Sequence, residues 1–259
     1  MNVSNILLAA PEIWVLTMAC VILLVDLFLR EERRGIIQLL AMATVILAGF
    51  ITIYAEYAHD GTLIATAFNG SFLRDPMGDV LKLFTYFIVA LVFVYAKSYL
   101  RQFNMFRADF YTLSLFALLG IMLLISANSL VMIYLGLELT SLSTYALVAY
   151  DRDSSRGSEA AMKYFVLGSM ASGMLLYGMS MIYGATGSLN LDTIGAAAAQ
   201  EDVEFLKECF VEQGYLEVLK NGKDPRRILL GRTGSGKTAL LSKLVETEVI
   251  IRARDLLEE

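Results

Sequence analysis

Residues 130 to 150 have the sequence LVMIYLGLELTSLSTYALVAY, and this stretch decides what kind of protein the chain is. It contains 21 residues and one charged group, Glu138. As an α-helix it would be about 31 Å long, which matches the roughly 30 Å hydrocarbon core of a bilayer. The stretch therefore predicts a membrane-spanning helix with a carboxylate near its middle.

Five further blocks have the length and composition of membrane spans. The chain is 57% hydrophobic and has only three prolines in 259 residues, which is typical of helical membrane proteins. We therefore predict an all-α membrane protein with six transmembrane helices. They are residues 6–29, 35–57, 77–99, 110–127, 130–150 and 159–183.

Short polar segments mark the ends of several predicted spans. Asp75 supplies a helix-capping carboxylate and Pro76 a first-turn proline, so the third span is expected to begin there. The link 126–129 is so short that the fourth and fifth spans must be antiparallel neighbours. Asn69-Gly70, between the second and third spans, weakly predicts a hairpin outside the membrane.

The lysine and arginine residues of the connections predict the orientation of the chain. Eight of them lie in the first, third and fifth connections, whereas the second and fourth contain only Arg74. Because such residues concentrate on the cytoplasmic side, we expect the amino terminus, and the segment after Tyr183, outside the cytoplasm. The eight are Arg30, Arg33, Arg34, Lys97, Arg101, Arg107, Arg152 and Arg156.

Charged side chains inside the spans are the candidate functional residues, because a charge in a bilayer is costly. Glu138 lies about 12 Å along the helix from Leu130. It is either an acid that exchanges protons or a structural acid whose carboxylate is hydrogen-bonded by a neighbouring helix. Lys163 either faces inward, where it would form a proton relay with Glu138, or extends its ammonium to the headgroups. We expect Lys82 and Asp26 at the interface. Five hydroxyl groups could hydrogen-bond Glu138 or hold water: Tyr134, Thr140, Ser141, Ser143 and Thr144.

The composition argues against several other kinds of site. The basic residues are scattered, so we expect the lipid bilayer rather than nucleic acid as a partner. Cys20 and Cys209 have no close-spaced cysteine partner, which argues against a disulfide framework or a cysteine metal site. His59, the single histidine, is expected in an exposed loop. We therefore predict no metal site.

The composition changes near residue 200. Of the 47 charged residues, 22 lie in the last 59 positions. This tail contains Gly231-Arg-Thr-Gly-Ser-Gly-Lys-Thr238, a P-loop pattern between a strand-like and a helical segment. In such a loop, which Gly231 and Gly236 shape, Lys237 would reach the terminal phosphates and Thr238 would bind magnesium. The membrane part has no cofactor motif, and ATP with Mg²⁺ is expected only if this P-loop is functional.

The tail is too short to complete a P-loop fold. Such a fold needs several more parallel strands than 59 residues provide. The predicted orientation also places the tail outside the cytoplasm, where nucleotide is scarce. We therefore expect a transmembrane domain at 1–200 and an incomplete α/β P-loop segment at 201–259. This segment would be the start of an unrelated protein, joined by truncation, rearrangement or assembly error.

Three motifs of the membrane part resemble a known family. Ala10-Pro-Glu-Ile13, Leu135-Gly-Leu-Glu-Leu-Thr-Ser-Leu142 and Glu159-Ala-Ala-Met-Lys-Tyr-Phe165, which Gly168-Ser-Met-Ala-Ser-Gly173 follows, are similar to the subunit N family of bacterial proton-pumping NADH:quinone oxidoreductase, respiratory complex I. The resemblance covers residues 1 to about 200, so the six spans would form a truncated antiporter-like bundle.

The resemblance implies a subunit of the membrane arm, in the bacterial inner membrane, that moves a proton as quinone is reduced elsewhere. Glu138 matches the family's glutamate on the fifth span, and Lys163 matches a lysine on the sixth. The family's other key lysines lie on later helices, so the relay is half present and the chain is not expected to pump alone. Redox sites would belong to other subunits. The partners would be the other membrane-arm subunits.

Two alternatives to this interpretation come from other functional classes. The chain could be a subunit of a cation/proton antiporter, since those proteins share the pattern of acid and lysine. It could also be a membrane-anchored P-loop NTPase, which requires a cytoplasmic tail and nucleotide binding that depends on Lys237.

Overall fold

Six long apolar helices follow the six predicted spans. The structure is a computed structural model that describes residues 3–29, 35–57, 64–103, 105–151 and 153–208. Within these ranges, six helices are long and apolar enough to cross a membrane. The helices are α1 (Val3–Leu8), α2 (Ala10–Phe28), α3 (Gly35–Tyr57), α4 (Pro76–Gln102), α5 (Ala108–Ile125), α6 (Leu130–Val148), α7 (Ser155–Thr186) and α8 (Leu191–Glu208). The strands are β1 (Ala65–Ala67) and β2 (Phe72–Arg74).

The chain divides into two compact units, Met1–Asp192 and Thr193–Glu259. The first unit contains all six membrane-length helices. The predicted boundary between 200 and 201 falls inside α8 and stays a prediction. The predicted α/β P-loop segment lies outside the described residues, apart from the part of α8 that reaches Glu208.

The first predicted span is divided in two by a break at Ala9. Helix α1 ends at Leu8, Ala9 has φ −96° and ψ 20°, and α2 begins at Ala10. Pro11 lies in the first turn of α2. Its ring would clash with the carbonyl of Leu7 in a continuous helix and it offers no N–H, so the helix restarts instead of running on from Ile6.

The predicted start of the third span is confirmed. The side chain of Asp75 accepts a hydrogen bond from the backbone N–H of Gly78 at 3.0 Å, and Pro76 is the first residue of α4. Ser129 caps α6 and Ser154 caps α7 in the same way. Helix α7 ends at Gly187, whose φ of 66° gives the left-handed turn that commonly closes a helix.

The predicted hairpin is present between α3 and α4. Strands β1 and β2 pair antiparallel, and Phe68, Asn69 and Gly70 all have positive φ in the turn. The hairpin lies against the α5–α6 link, where the N–H of Leu73 donates to the carbonyl of Ser126 at 2.8 Å. The link also contacts the segment after α7, since the N–H of Leu130 donates to the carbonyl of Leu189 at 2.9 Å. These segments therefore meet at one end of the bundle, which the charge pattern predicts to be the outer end.

The buried core lies among α2, α3, α4 and α5. Tyr111 of α5 is fully buried against Phe93 of α4, with ring centroids 5.2 Å apart. Polar side chains join the helices as well, because Gln38 donates to the carbonyl of Phe93 at 3.3 Å. Half of the span of α5 is buried, but only 6% of that of α7. Helix α7 thus presents an apolar surface that no other described segment covers.

We predict that Asp75→Ala destabilises the bundle by about 1 kcal/mol, because the N-terminus of α4 loses its cap. Asp75→Asn should cost much less, since its side-chain oxygen can still accept from Gly78. Thermal unfolding of the purified chain in detergent, followed by circular dichroism, measures both. Equal losses for the two variants would contradict a capping role.

Candidate functional site

Glu138 lies at the middle of α6, eight residues after Leu130. Its side chain is half-buried. Among the described residues, none forms a hydrogen bond or an ion pair with it. Three of the five neighbouring hydroxyls donate to carbonyls of α6 itself, so these three are not donors to the carboxylate. Thr140 donates to Gly136 at 2.8 Å, Ser143 to Leu139 at 2.7 Å and Thr144 to Ser141 at 2.8 Å.

Glu138 faces away from α5. Gly136 is buried against α5, and two further residues turn the helix by about 200°, which places Glu138 on the opposite face. Tyr134 and Tyr145 share this face with Glu138 because they lie four and seven residues away. A cavity of about 330 Å³ lies between α6 and α7 at the hairpin end of the bundle and is lined by Tyr134, one turn from Glu138. The carboxylate is therefore on the α7 side of α6, one turn from this cavity.

Lys163 does not meet Glu138 in this arrangement. Its side chain is 71% exposed on α7, and its ammonium pairs with Glu159 of the same helix at 2.6 Å. Lys163 therefore lies on a part of α7 that the other described helices leave uncovered. The relay role of both residues stays a prediction.

The predicted P-loop residues lie outside the described residues. This applies to Gly231, Gly236, Lys237 and Thr238, and equally to His59 and Cys209. Their predicted roles, including binding of ATP and Mg²⁺, stay predictions. Within the described ranges, no group of three His, Cys, Asp or Glu side chains could hold a metal ion.

The structure places a buried ionic cluster at the hairpin end of the bundle, which we define as Glu12, Arg74, Asp79 and Lys82. The ammonium of Lys82 lies 2.7 Å from Glu12 Oε1 on α2 and 3.9 Å from Asp79 Oδ1. Arg74 of β2 donates from Nε and from a terminal nitrogen to Asp79 Oδ2, at 2.9 and 2.8 Å. The four side chains are at most 7% exposed. Two acids and two bases thus neutralise one another away from water.

The expectation that Lys82 extends to the interface is wrong. Lys82 is 1% exposed, because the carboxylate of Glu12 and the ring of Phe72 lie within its reach. A buried ammonium needs such a partner to offset its lost hydration. One sequence signal could have suggested this pair. Glu12 and Lys82 both lie within two turns of the start of a predicted span, and both spans start on the same predicted side of the membrane, so the two residues lie at a similar depth. Nothing in the sequence joined them, because the pair depends on where the bundle places α2 and α4.

Asp26 lies at the opposite end of the bundle and is half-buried. With Asp109, Thr112 and Tyr150 it lines a cavity of about 590 Å³ among α2, α5, α6 and the start of α7. Tyr150 closes this end by donating its hydroxyl to the carbonyl of Met105 at 2.8 Å. Burial raises the pKa of Tyr150, so the phenol keeps this proton at neutral pH.

Comparison with known proteins identifies relatives of this chain. A family model described as NADH:quinone oxidoreductase/Mrp antiporter, TM, matches residues 127–214, which include Glu138 and Lys163. NADH-quinone oxidoreductase subunit N of Alkalilimnicola ehrlichii is 46% identical over 194 residues, and that of Thiobacillus denitrificans is 51% identical over 186. The chain is a relative of NADH-quinone oxidoreductase subunit N. The family resemblance of its first 200 or so residues is thereby confirmed, and it is a multi-pass membrane protein.

Two solved structures have the same fold. A chain of respiratory complex I from Thermus thermophilus with bound aureothin is 29% identical, with a TM-score of 0.57 over 70% of this chain and 38% of that one. A chain of the archaeal membrane-bound sulfane sulfur reductase is 22% identical, with a TM-score of 0.58 over 77% and 42%. The subunit N relatives are covered over only part of their length. The two above align over 75% and 72% of this chain but 39% and 38% of their own.

We predict that removing one member of the Glu12–Lys82 pair costs more stability than removing both. Glu12→Gln or Lys82→Met leaves a buried charge without its partner, which costs about 3–5 kcal/mol, whereas the double variant loses both charges together. Thermal unfolding of the chain in detergent measures the three variants.

The exposed pair Glu159–Lys163 provides the matched control. Because both side chains are more than half exposed, Lys163→Met should change stability by no more than about 0.5 kcal/mol. If Lys82→Met is as mild as Lys163→Met, the buried cluster does not hold the helices together.

Proposed function

We propose that this chain acts in the membrane arm of a proton-translocating NADH-quinone oxidoreductase, in which Glu138 exchanges protons. The position of Glu138 carries the proposal. It lies halfway along a bilayer-length helix, half-buried, without a described partner that would hold it charged. A carboxylate in a membrane lowers its energetic cost by taking up a proton. Such a group can bind a proton and later release it.

The remaining features of the proposal follow from the relatives, from the charge pattern of the connections and from the P-loop motif. We propose that the chain lies in the bacterial inner membrane with its amino terminus outside the cytoplasm, next to other membrane-arm subunits. The membrane part would bind no cofactor, because quinone reduction would take place on other subunits. Lys163 would join Glu138 in a relay where a further helix covers its side of α7. ATP and Mg²⁺ would bind only if the P-loop of the tail is functional.

We predict that Glu138→Gln lowers NADH-driven proton pumping about tenfold or more, because glutamine keeps the volume but cannot exchange a proton. The assay replaces the matching part of subunit N in a bacterial complex I with residues 1–200 of this chain. The initial rate of acidification of inverted vesicles is then measured, normalised to the amount of assembled complex.

Asp153→Asn is the control, since it removes a carboxylate from the exposed loop between α6 and α7. It should leave the pumping rate within about twofold of the parent chimera, because a solvated carboxylate is easily replaced. Normal pumping by the Glu138→Gln chimera would refute the relay role of this residue. Normal pumping by Lys163→Met would assign Lys163 to the headgroup region.

The proposed orientation predicts opposite labelling of two loops. In a chain without Cys20 and Cys209, a cysteine at Thr66 of the hairpin should react with an impermeant maleimide in intact spheroplasts. A cysteine at Asp153 should react only after permeabilisation. Both native side chains are exposed, so accessibility itself does not separate them. The reverse pattern would place the amino terminus in the cytoplasm.

A cation/proton antiporter subunit is the second candidate, because the matching family model includes the Mrp antiporters. This function predicts sodium-dependent proton movement in membrane vesicles that does not require NADH. Proton movement that depends strictly on NADH favours the first proposal.

A further inference from the structure

Helices α5 and α6 touch through their backbones at two glycines. A Cβ atom added to Gly136 would lie 2.8 Å from the carbonyl oxygen of Gly120 and 3.0 Å from the backbone nitrogen of Leu124. A Cβ added to Gly120 would overlap the hydroxyl of Thr140 and lie 2.7 Å from the carbonyl oxygen of Gly136. No side chain, not even a methyl group, fits at either glycine without displacing a neighbouring atom. The contact therefore sets both the rotation and the height of α6 against α5.

On the opposite face, α6 is held by Tyr145. The ring of Tyr145 packs edge-on against Tyr164 and Phe165 of α7, with centroids 4.9 and 5.8 Å away. Its hydroxyl end lies directly over Gly168, because a Cβ there would overlap the oxygen and lie 2.5 Å from Cζ. Glu138 is two turns, about 10 Å, from Tyr145 on the same face of α6.

We propose that Gly136 and Gly168 are positioning residues for Glu138. The backbone contact at Gly136 and the contact of the Tyr145 ring with Gly168 hold α6 from two opposite sides. Together they fix where the Glu138 carboxylate lies between α6 and α7. The expected effect on pumping rests on the function proposed for Glu138. The position of the Glu138 carboxylate depends only on how the helices pack.

Other glycines of α7 provide matched controls. Among the described residues, a Cβ added to Gly173, Gly178 or Gly184 would meet no atom within 4 Å beyond the adjoining backbone of α7. Alanine at these positions changes the helix in the same way as alanine at Gly168 but displaces nothing. A difference between Gly168→Ala and Gly173→Ala therefore reports the contact with Tyr145 and not the loss of a glycine.

The test measures the water accessibility of position 138 in the full chain. Glu138→Cys is introduced with Cys20→Ala and Cys209→Ala, and its reaction rate with a water-soluble methanethiosulfonate is measured in lipid nanodiscs. Gly168→Ala should raise the rate about threefold or more, because the added methyl group overpacks the contact and pushes α7 away from α6. Gly173→Ala should stay within about 1.5-fold, since it overpacks nothing.

A double-mutant cycle shows whether Tyr145 carries the effect. Tyr145→Ala removes the ring that packs on Gly168 and should also raise the reaction rate of the cysteine at position 138. It provides a second variant if Gly168→Ala folds poorly. Adding Gly168→Ala to Tyr145→Ala should then change the rate by less than about 1.5-fold, because the overlap has gone. An unchanged rate in both single variants, or an equal rise with Gly173→Ala, would overturn the proposal.

Pumping by the chimeric complex separates this proposal from the function of Glu138. If Glu138→Gln abolishes pumping, Gly168→Ala should reduce it and Gly173→Ala should not. If Glu138→Gln pumps normally but Gly168→Ala exposes position 138, the placement is right and the proton role is wrong. If Glu138→Gln abolishes pumping and Gly168→Ala changes neither pumping nor accessibility, the positioning proposal fails by itself.

Discussion

A bilayer core supplies no hydrogen bonds, so each polar group that enters it must find a partner within the protein. The helices meet this demand for the backbone, and the same solution extends to their hydroxyl side chains. Thr44 and Thr52 of α3, for example, donate to carbonyls one turn earlier at 2.8 and 3.0 Å. The charged side chains of the ionic cluster meet the demand between elements, since Lys82 of α4 reaches Glu12 of α2 and Arg74 of β2 reaches Asp79 of α4. Glu138 stands apart because no described residue partners it.

The ionic cluster and Glu138 have different roles: the cluster holds structural elements together, whereas we propose that Glu138 exchanges protons. In the cluster, Lys82 pairs with Glu12 and Arg74 pairs with Asp79, and these contacts tie β2, α2 and α4 together. Removing any one partner leaves a buried charge alone, so the four residues serve the structure of the bundle. Glu138 has no such restraint. What holds it in place is the backbone of α6, through the contacts of Gly136 and of Tyr145 with the neighbouring helices.

Much of the fold could be predicted from local patterns. Apolar length gave the six spans, Asp75-Pro76 marked the start of α4, and Asn69-Gly70 marked the hairpin. These features depend on residues adjacent in the chain. Lys82 shows where the approach fails, because a lysine six residues into a helix looks the same whether it extends to the headgroups or pairs with an acid on another helix. The hydroxyls near Glu138 are a related case, because the sequence does not show which acceptor a hydroxyl reaches. Thr140, Ser143 and Thr144 donate to carbonyls of their own helix.

The sequence by itself determined that this is a helical membrane protein, that its fifth span carries a lone acid at mid-depth, and which family its first 200 residues resemble. These properties are set by composition, by spacing and by short motifs, which need no knowledge of what touches what. Only the tertiary structure decided that Glu12 neutralises Lys82, that Gly120 and Gly136 bring two backbones together, and that Tyr145 rests on Gly168. Each of these contacts joins residues on different helices, and their partners follow from helix rotation and close packing.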